Sequence, residues 1–125
     1  MPKLFDSTTL LTYCGFIYYL SSQSSITTPI LFTQQDKLHH LGAYFIMGIL
    51  AWRVIRTMNI PAIIKFLTSL IFCSLYGFSD EWHQSFVPGR DADVLDWTAD
   101  TLGAFCSISL YYLQLRKKIK QTSRH

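Results

Sequence analysis

The stretch IPAIIKFLTSLIFCSLYGF, residues 60–78, decides the fold. It is apolar almost throughout, with Lys65 as its one charged residue. A helix needs about 20 residues, with a range of about 17–25, to cross a hydrocarbon core of ~30 Å. The strands of a membrane barrel alternate apolar and polar residues, and this run does not. A backbone in lipid must satisfy its hydrogen bonds within its own segment, which a helix does. Pro61 stands near the start, where its missing N–H costs little.

Working outward, residues 38–55 and 94–113 form runs of similar length and character. Residues 8–22 form a fourth, which reaches membrane length only with residues 4–9 or the serines after Leu20. That segment has a rival reading as a secretory signal, with Lys3 as its basic start and residues 10–20 as its apolar part. No clean small-x-small cleavage site follows in Ser21 to Ser25, so the segment reads as a retained helix. The expected fold class is all-α: a four-helix transmembrane bundle with both termini cytoplasmic. One membrane domain spans residues 1–125, and residues 114–125 form a basic cytoplasmic tail.

The bulk figures agree. Of 125 residues, 50% are hydrophobic and only 15% are charged, against roughly a quarter in ordinary soluble domains. The net charge of +3 comes largely from Arg116, Lys117, Lys118, Lys120 and Arg124. These directly follow an apolar run and read as an anchor on anionic lipid. No DNA- or RNA-binding motif is present, which excludes a nucleic-acid partner on this reading. Cys14, Cys73 and Cys106 lie in apolar runs without CxxC spacing and read as small buried side chains.

Charge sets the orientation. With four helices both termini share a side, and Lys3, Arg53, Arg56, Lys65 and the five tail cations fall there, nine of eleven Lys plus Arg. Positive residues mark the cytoplasmic side, and Lys65 can snorkel back to it. Asp36, Asp80, Glu81, Asp91, Asp93, Asp96 and Asp100, seven of the eight acids, fall on the opposite, outward side with Lys37, Arg90, His39, His40 and His83.

Some of these polar residues share helical stripes. At 100° per residue, Asp93, Asp96, Asp100, Gly103 and Ser107 lie within an arc of about 80°. Asp36, Lys37, His40 and Tyr44 lie within about 100° of one another. Acids at membrane depth almost never face lipid, so the Asp100 stripe must look into the bundle, where Gly103 allows close approach. His39 and His40 point about 100° apart, so His40 is the candidate site residue and His39 an interfacial one. Asp91 is expected in solvent. Trp52, Trp82 and Trp97 lie near helix ends and read as interfacial anchors.

Such a cluster has several chemistries open to it. Asp, Glu and His side chains ligate divalent metals or act as general acids and bases. Lys37 and Arg90 can hold a phosphate or carboxylate. A self-satisfied ion network that merely locks the helices is an equal alternative. The spacing includes no HExxH motif, so metal and cofactor stay open.

The chain also resembles the VanZ-like family. The resemblance lies in residues 36–44 (DKLHHLGAY), 79–90 (SDEWHQSFVPGR) and 96–104 (DWTADTLGA). They follow the order DKxxHxxxY, DExxQxxxPxR, DxxxN/DxxG, and residues 20–23 (LSSQ) are similar to the family's end of the first helix. The similarity covers about residues 16–107. Ser107 stands where many relatives have a second small residue, often glycine. The resemblance implies a bacterial multi-pass protein of the cytoplasmic membrane, from a family named for a teicoplanin-resistance protein. Its motif positions are Asp36, Lys37, His40, Tyr44, Asp80, Glu81, Gln84, Pro88, Arg90, Asp96, Asp100 and Gly103.

Three functions are weighed on these residues. The first is an envelope protein that binds an anionic lipid head group, wall precursor or glycopeptide through Asp36, Lys37, Tyr44, Gln84, Arg90, Asp96 and Asp100. The second is a hydrolase or transferase acting on a lipid-linked substrate, with His40, Asp80 and Glu81 catalytic. The third is a structural bundle or partner subunit. Oligomeric state is not read from the sequence.

Overall fold

A computed structural model describes residues 2–22, 35–89 and 93–124. Arg90 and Asp91 lie outside the described residues, as does the side chain of Asp36. The described residues form helices α1 (Pro2–Ser21), α2 (Gln35–Ile55), α3 (Ala62–Gln84) and α4 (Val94–Thr122). The helix count and the all-α class agree with the sequence, while several ends move. α1 takes in the polar residues before Thr8 and so reaches full length. α3 runs on to Gln84, which makes the Asp80-Glu81 pair helical. α4 runs through the basic segment to Thr122.

Local chemistry explains the ends. The Pro61 carbonyl accepts from the amides of Ile64 and Lys65, both at 3.0 Å, and opens α3. Beyond α3, Gly89 takes the left-handed φ of 79° that side chains disfavour. Asp93 caps α4 in extended geometry, its carboxylate accepting from the Leu95 amide at 2.9 Å.

α2 and α4 make the closest pair, α3 packs on both, and α1 rests on α2 and more lightly on α3. Small residues set the α2–α4 spacing. A methyl group at Gly103 would run into the Leu41 carbonyl, and one at Gly48 would run into Ser107. Backbones approach this closely only where side chains are absent. Tyr44, Met47, Cys73, Ala104 and Ile108 fill the core between them.

The surface is inverted relative to a soluble protein. Ile71, Leu75, Phe78 and Trp82 of α3 are exposed, as are Leu4, Phe5 and Leu11 of α1 and Leu102, Leu110 and Leu113 of α4. Asp80, Glu81, Gln84, Asp96 and Asp100 are buried. Soluble proteins seldom bury so many acids or expose so continuous an apolar surface. By length and composition, α2 over Lys37–Ile55 and α3 over Ala62–Gln84 qualify to cross a membrane. α1 and α4 fall short of that measure, because α1 carries Lys3, Asp6 and a run of threonines and α4 carries two acids and a basic end.

Two smaller expectations change. Trp52 is buried against Tyr111 instead of anchoring at an interface. Cys106 faces outward, while Cys14 and Cys73 are buried.

Candidate functional site

Three helices bring their polar stripes to one end of the bundle. On α2, Lys37, His40 and Tyr44 share a face at i, i+3 and i+7. Tyr44 is buried, His40 is half-buried and His39 is exposed. On α3, the buried face passes through Cys73, Gly77, Asp80, Glu81 and Gln84. On α4, it passes through Asp96, Asp100, Gly103, Ala104 and Ser107. Both faces follow the i, i+3, i+4 rule of a helix that turns one side to its neighbours.

His40 is the hub. Its Nδ1 lies 2.7 Å from Asp100 Oδ1 and 3.8 Å from Glu81 Oε1. Its Nε2 lies 3.8 Å from Asp96 Oδ2. The short contact is a hydrogen bond in which the Nδ1–H donates to Asp100. Asp100 is fully buried and fits against Gly77, whose missing side chain leaves room for the carboxylate. Glu81 reaches the other way, and its Oε2 accepts from the Asp93 amide at 3.0 Å. The Tyr44 hydroxyl donates to Asp80 Oδ2 over a long 3.4 Å.

Lys37 sits at the rim with its side chain a quarter exposed. Its ammonium meets Asp93 Oδ2 at 3.1 Å and Asp96 Oδ1 at 3.4 Å. The Leu95 amide and then the Lys37 ammonium hold the Asp93 carboxyl below its usual range. Among the described residues the cluster contains Asp80, Glu81, Asp93, Asp96 and Asp100 against the cations Lys37 and His40. Acid is therefore in surplus.

The structure thus brings together Lys37, His40, Tyr44, Asp80, Glu81, Asp96 and Asp100. Gln84 ends α3 on the same buried face. Arg90 and the side chain of Asp36 lie outside the described residues. His83 turns away to α1, where its Nε2 lies 2.9 Å from Ser22 Oγ and its ring stacks on Tyr18. Asp93 belongs to the cluster more fully than its place on the stripe suggested, because it caps α4 while meeting Lys37 and Glu81. Gly77 was not foreseen, since its role depends on which face of α3 meets α4. Trp97 is also tied in, its indole N–H donating to the Ser74 carbonyl at 2.9 Å.

Residues 5–115 match the VanZ/LLP1 family. The chain belongs to that family. The match takes in every cluster residue from Lys37 to Asp100, so the polar end described here lies within the VanZ region. VanZ membership and the two apolar helices together support a membrane protein. Comparisons with curated proteins and with solved structures gave no significant match.

Proposed function

We propose that this VanZ protein spans the bacterial cytoplasmic membrane four times, with both termini inside. In this arrangement the polar cluster faces outward and binds an anionic envelope ligand: a lipid head group, a lipid-linked wall precursor or a glycopeptide. The exposed apolar side chains on α1 and α4 support placing these two helices in lipid with α2 and α3. Lys65 supports the orientation, since its ammonium reaches back to the Arg56 carbonyl at 3.0 Å. So do the cations at the ends of α2 and α4.

The observation that carries the ligand reading is the rim position of Lys37. It is a partly exposed cation over a buried polar floor, at the end where α2, α3 and α4 converge. An anionic oxygen arriving there can take a share of the ammonium from Asp93. The test is lipid retention. Full-length protein in vesicles containing a polyprenyl phosphate should copurify with it. Lys37→Ala and Arg90→Ala should lose at least ~10-fold of that retention while inserting normally. Equal retention by wild type and both variants rejects the reading. A role in glycopeptide resistance is part of the proposal and is tested by teicoplanin susceptibility with and without Lys37.

One geometric feature favours a second reading, a hydrolase or transferase acting on a lipid-linked substrate. Asp100 orients His40 as a carboxylate orients a general base, and Asp80 and Glu81 stand beside it. Turnover of a polyprenyl diphosphate that disappears in Glu81→Gln supports it, and full activity in that variant removes Glu81 from the chemistry.

A further inference from the structure

His40, Asp80, Glu81 and Asp100 each offer one ligand atom, and these atoms lie within 4.8 Å of one another. Two carboxylate oxygens of these residues accept no hydrogen bond, Glu81 Oε1 and Asp100 Oδ2. Both are deeply buried, their residues being 6% and 0% exposed. Glu81 Oε1 points at the His40 ring, 3.8 Å from Nδ1. Buried polar atoms are almost always satisfied in native structures, and an orphan signals a missing partner. Lys37 is engaged at the rim with Asp93 and Asp96. Three carboxylates therefore meet around His40, and among the described residues Lys37 is the lysine of the cluster.

We propose that these four residues bind one divalent transition-metal cation, Zn²⁺ or Mn²⁺. The donor set decides the class. One imidazole nitrogen with three carboxylate oxygens suits these ions, whereas Mg²⁺ and Ca²⁺ favour oxygen-only shells. The spacing fits as well. At bond lengths of about 2.1 Å in a tetrahedral shell, ligand atoms stand about 3.4 Å apart, so the set closes on an ion with side-chain shifts of about an ångström. His40 would ligate through Nδ1 after losing that proton, leaving Nε2–H directed at Asp96, the outer partner that fixes a metal-bound imidazole. Because the proton must leave, metal affinity falls as pH drops. A seated cation also turns an acid-rich floor into a receptor for an anionic oxygen. In that respect the inference rests on the binding-site reading above.

The test uses metal alone, so that its outcome is separate from head-group retention. Full-length protein in detergent, stripped with chelator, is titrated with ZnCl₂, MnCl₂ and MgCl₂ by calorimetry and by melting. Wild type should take about one equivalent of Zn²⁺ or Mn²⁺ and melt higher, with no response to MgCl₂. Glu81→Gln and His40→Gln should each weaken binding at least ~10-fold. Absorption spectroscopy at the metal edge should show nitrogen in the wild-type shell, a readout that needs no variant to fold. The proposal is overturned by any of three results: no saturable binding, equal affinity in both variants, or an all-oxygen shell.

Discussion

The two ends of the bundle treat buried charge differently. At the end that the proposed orientation puts inside, the inner end, Asp6 of α1 is buried and meets Arg53 of α2 at 2.9 Å. One acid faces one cation, and the pair ties α1 to α2. At the outer end, among the described residues, five acids crowd around one lysine and one histidine, and Glu81 Oε1 and Asp100 Oδ2 accept no hydrogen bond, as Asp6 Oδ2 accepts none at the inner end. A network that existed only to hold helices together would look like the inner end. On the proposed reading, the surplus of acid among the described residues of the outer end trades stability for a ligand. The contrast can be broken or sharpened by mutation.

The largest effect should come from Gly103→Val. The added side chain meets the Leu41 backbone and forces α2 from α4 just inside the outer cluster. Overpacking of this kind costs about 1–3 kcal/mol, and more where backbone blocks relaxation. The variant should melt well below wild type in detergent and lose the His40–Asp100 contact, seen as a changed histidine resonance. Wild-type melting would mean that the helices are not held at this spacing.

Next is Arg53→Met at the inner end, which leaves buried Asp6 without its cation. Breaking a fully buried pair costs about 3–5 kcal/mol. Arg53 is 39% exposed on its side chain, so water and screening reduce this to about 1–2 kcal/mol. A lower melting temperature, restored when Asp6→Leu is added, is the expected result. No change in the single variant would put the pair among ion pairs of no consequence.

The outer end should respond with the opposite sign. Glu81→Gln removes one negative charge from a surplus, at the cost of one charge-assisted bond from the Asp93 amide. With metal stripped, the variant should melt at or above wild type, within about 1 kcal/mol. A loss as large as that of Arg53→Met would show the outer cluster to be a balanced structural network.

Much of this contrast was legible in the sequence, and the boundary of legibility has a physical cause. Apolar runs of membrane length gave the helix count, since burial in lipid demands length and composition together. Helical periodicity put Asp96, Asp100, Gly103 and Ser107 on one face and chose His40 over His39, because 100° per residue is fixed by backbone geometry. What faces what across helices was not legible. Asp6 reads as a lone inner acid until α1 packs on α2 beside Arg53. Gly77 reads as an ordinary small residue until Asp100 lies against it. Trp52 reads as interfacial from its place near a helix end, yet it turns to Tyr111 in the core. The apolar measure sets α1 and α4 apart from α2 and α3. The acids of α1 and α4, Asp6, Asp96 and Asp100, face inward, and a composition average cannot tell an inward acid from a lipid-facing one.

The smallest effect concerns Asp93, where the outer end meets water. The Leu95 amide and the Lys37 ammonium stabilise its charged form, so its folded pKa lies below the unfolded value of about 3.9. A depressed carboxyl contributes stability that is fully present above the unfolded pKa and lost as pH falls through the folded one. Asp93→Ala removes the cap of α4 and an acid that meets Lys37. Its melting temperature should therefore sit slightly below wild type at pH 7, and the gap should narrow as pH falls below about 4. High salt should shrink the Lys37 share of the gap and leave the cap's share. A gap that stays constant from neutral to acid pH would mean that Asp93 acts through its shape alone, and that the rim of the site carries less charge coupling than the Lys37 contacts imply.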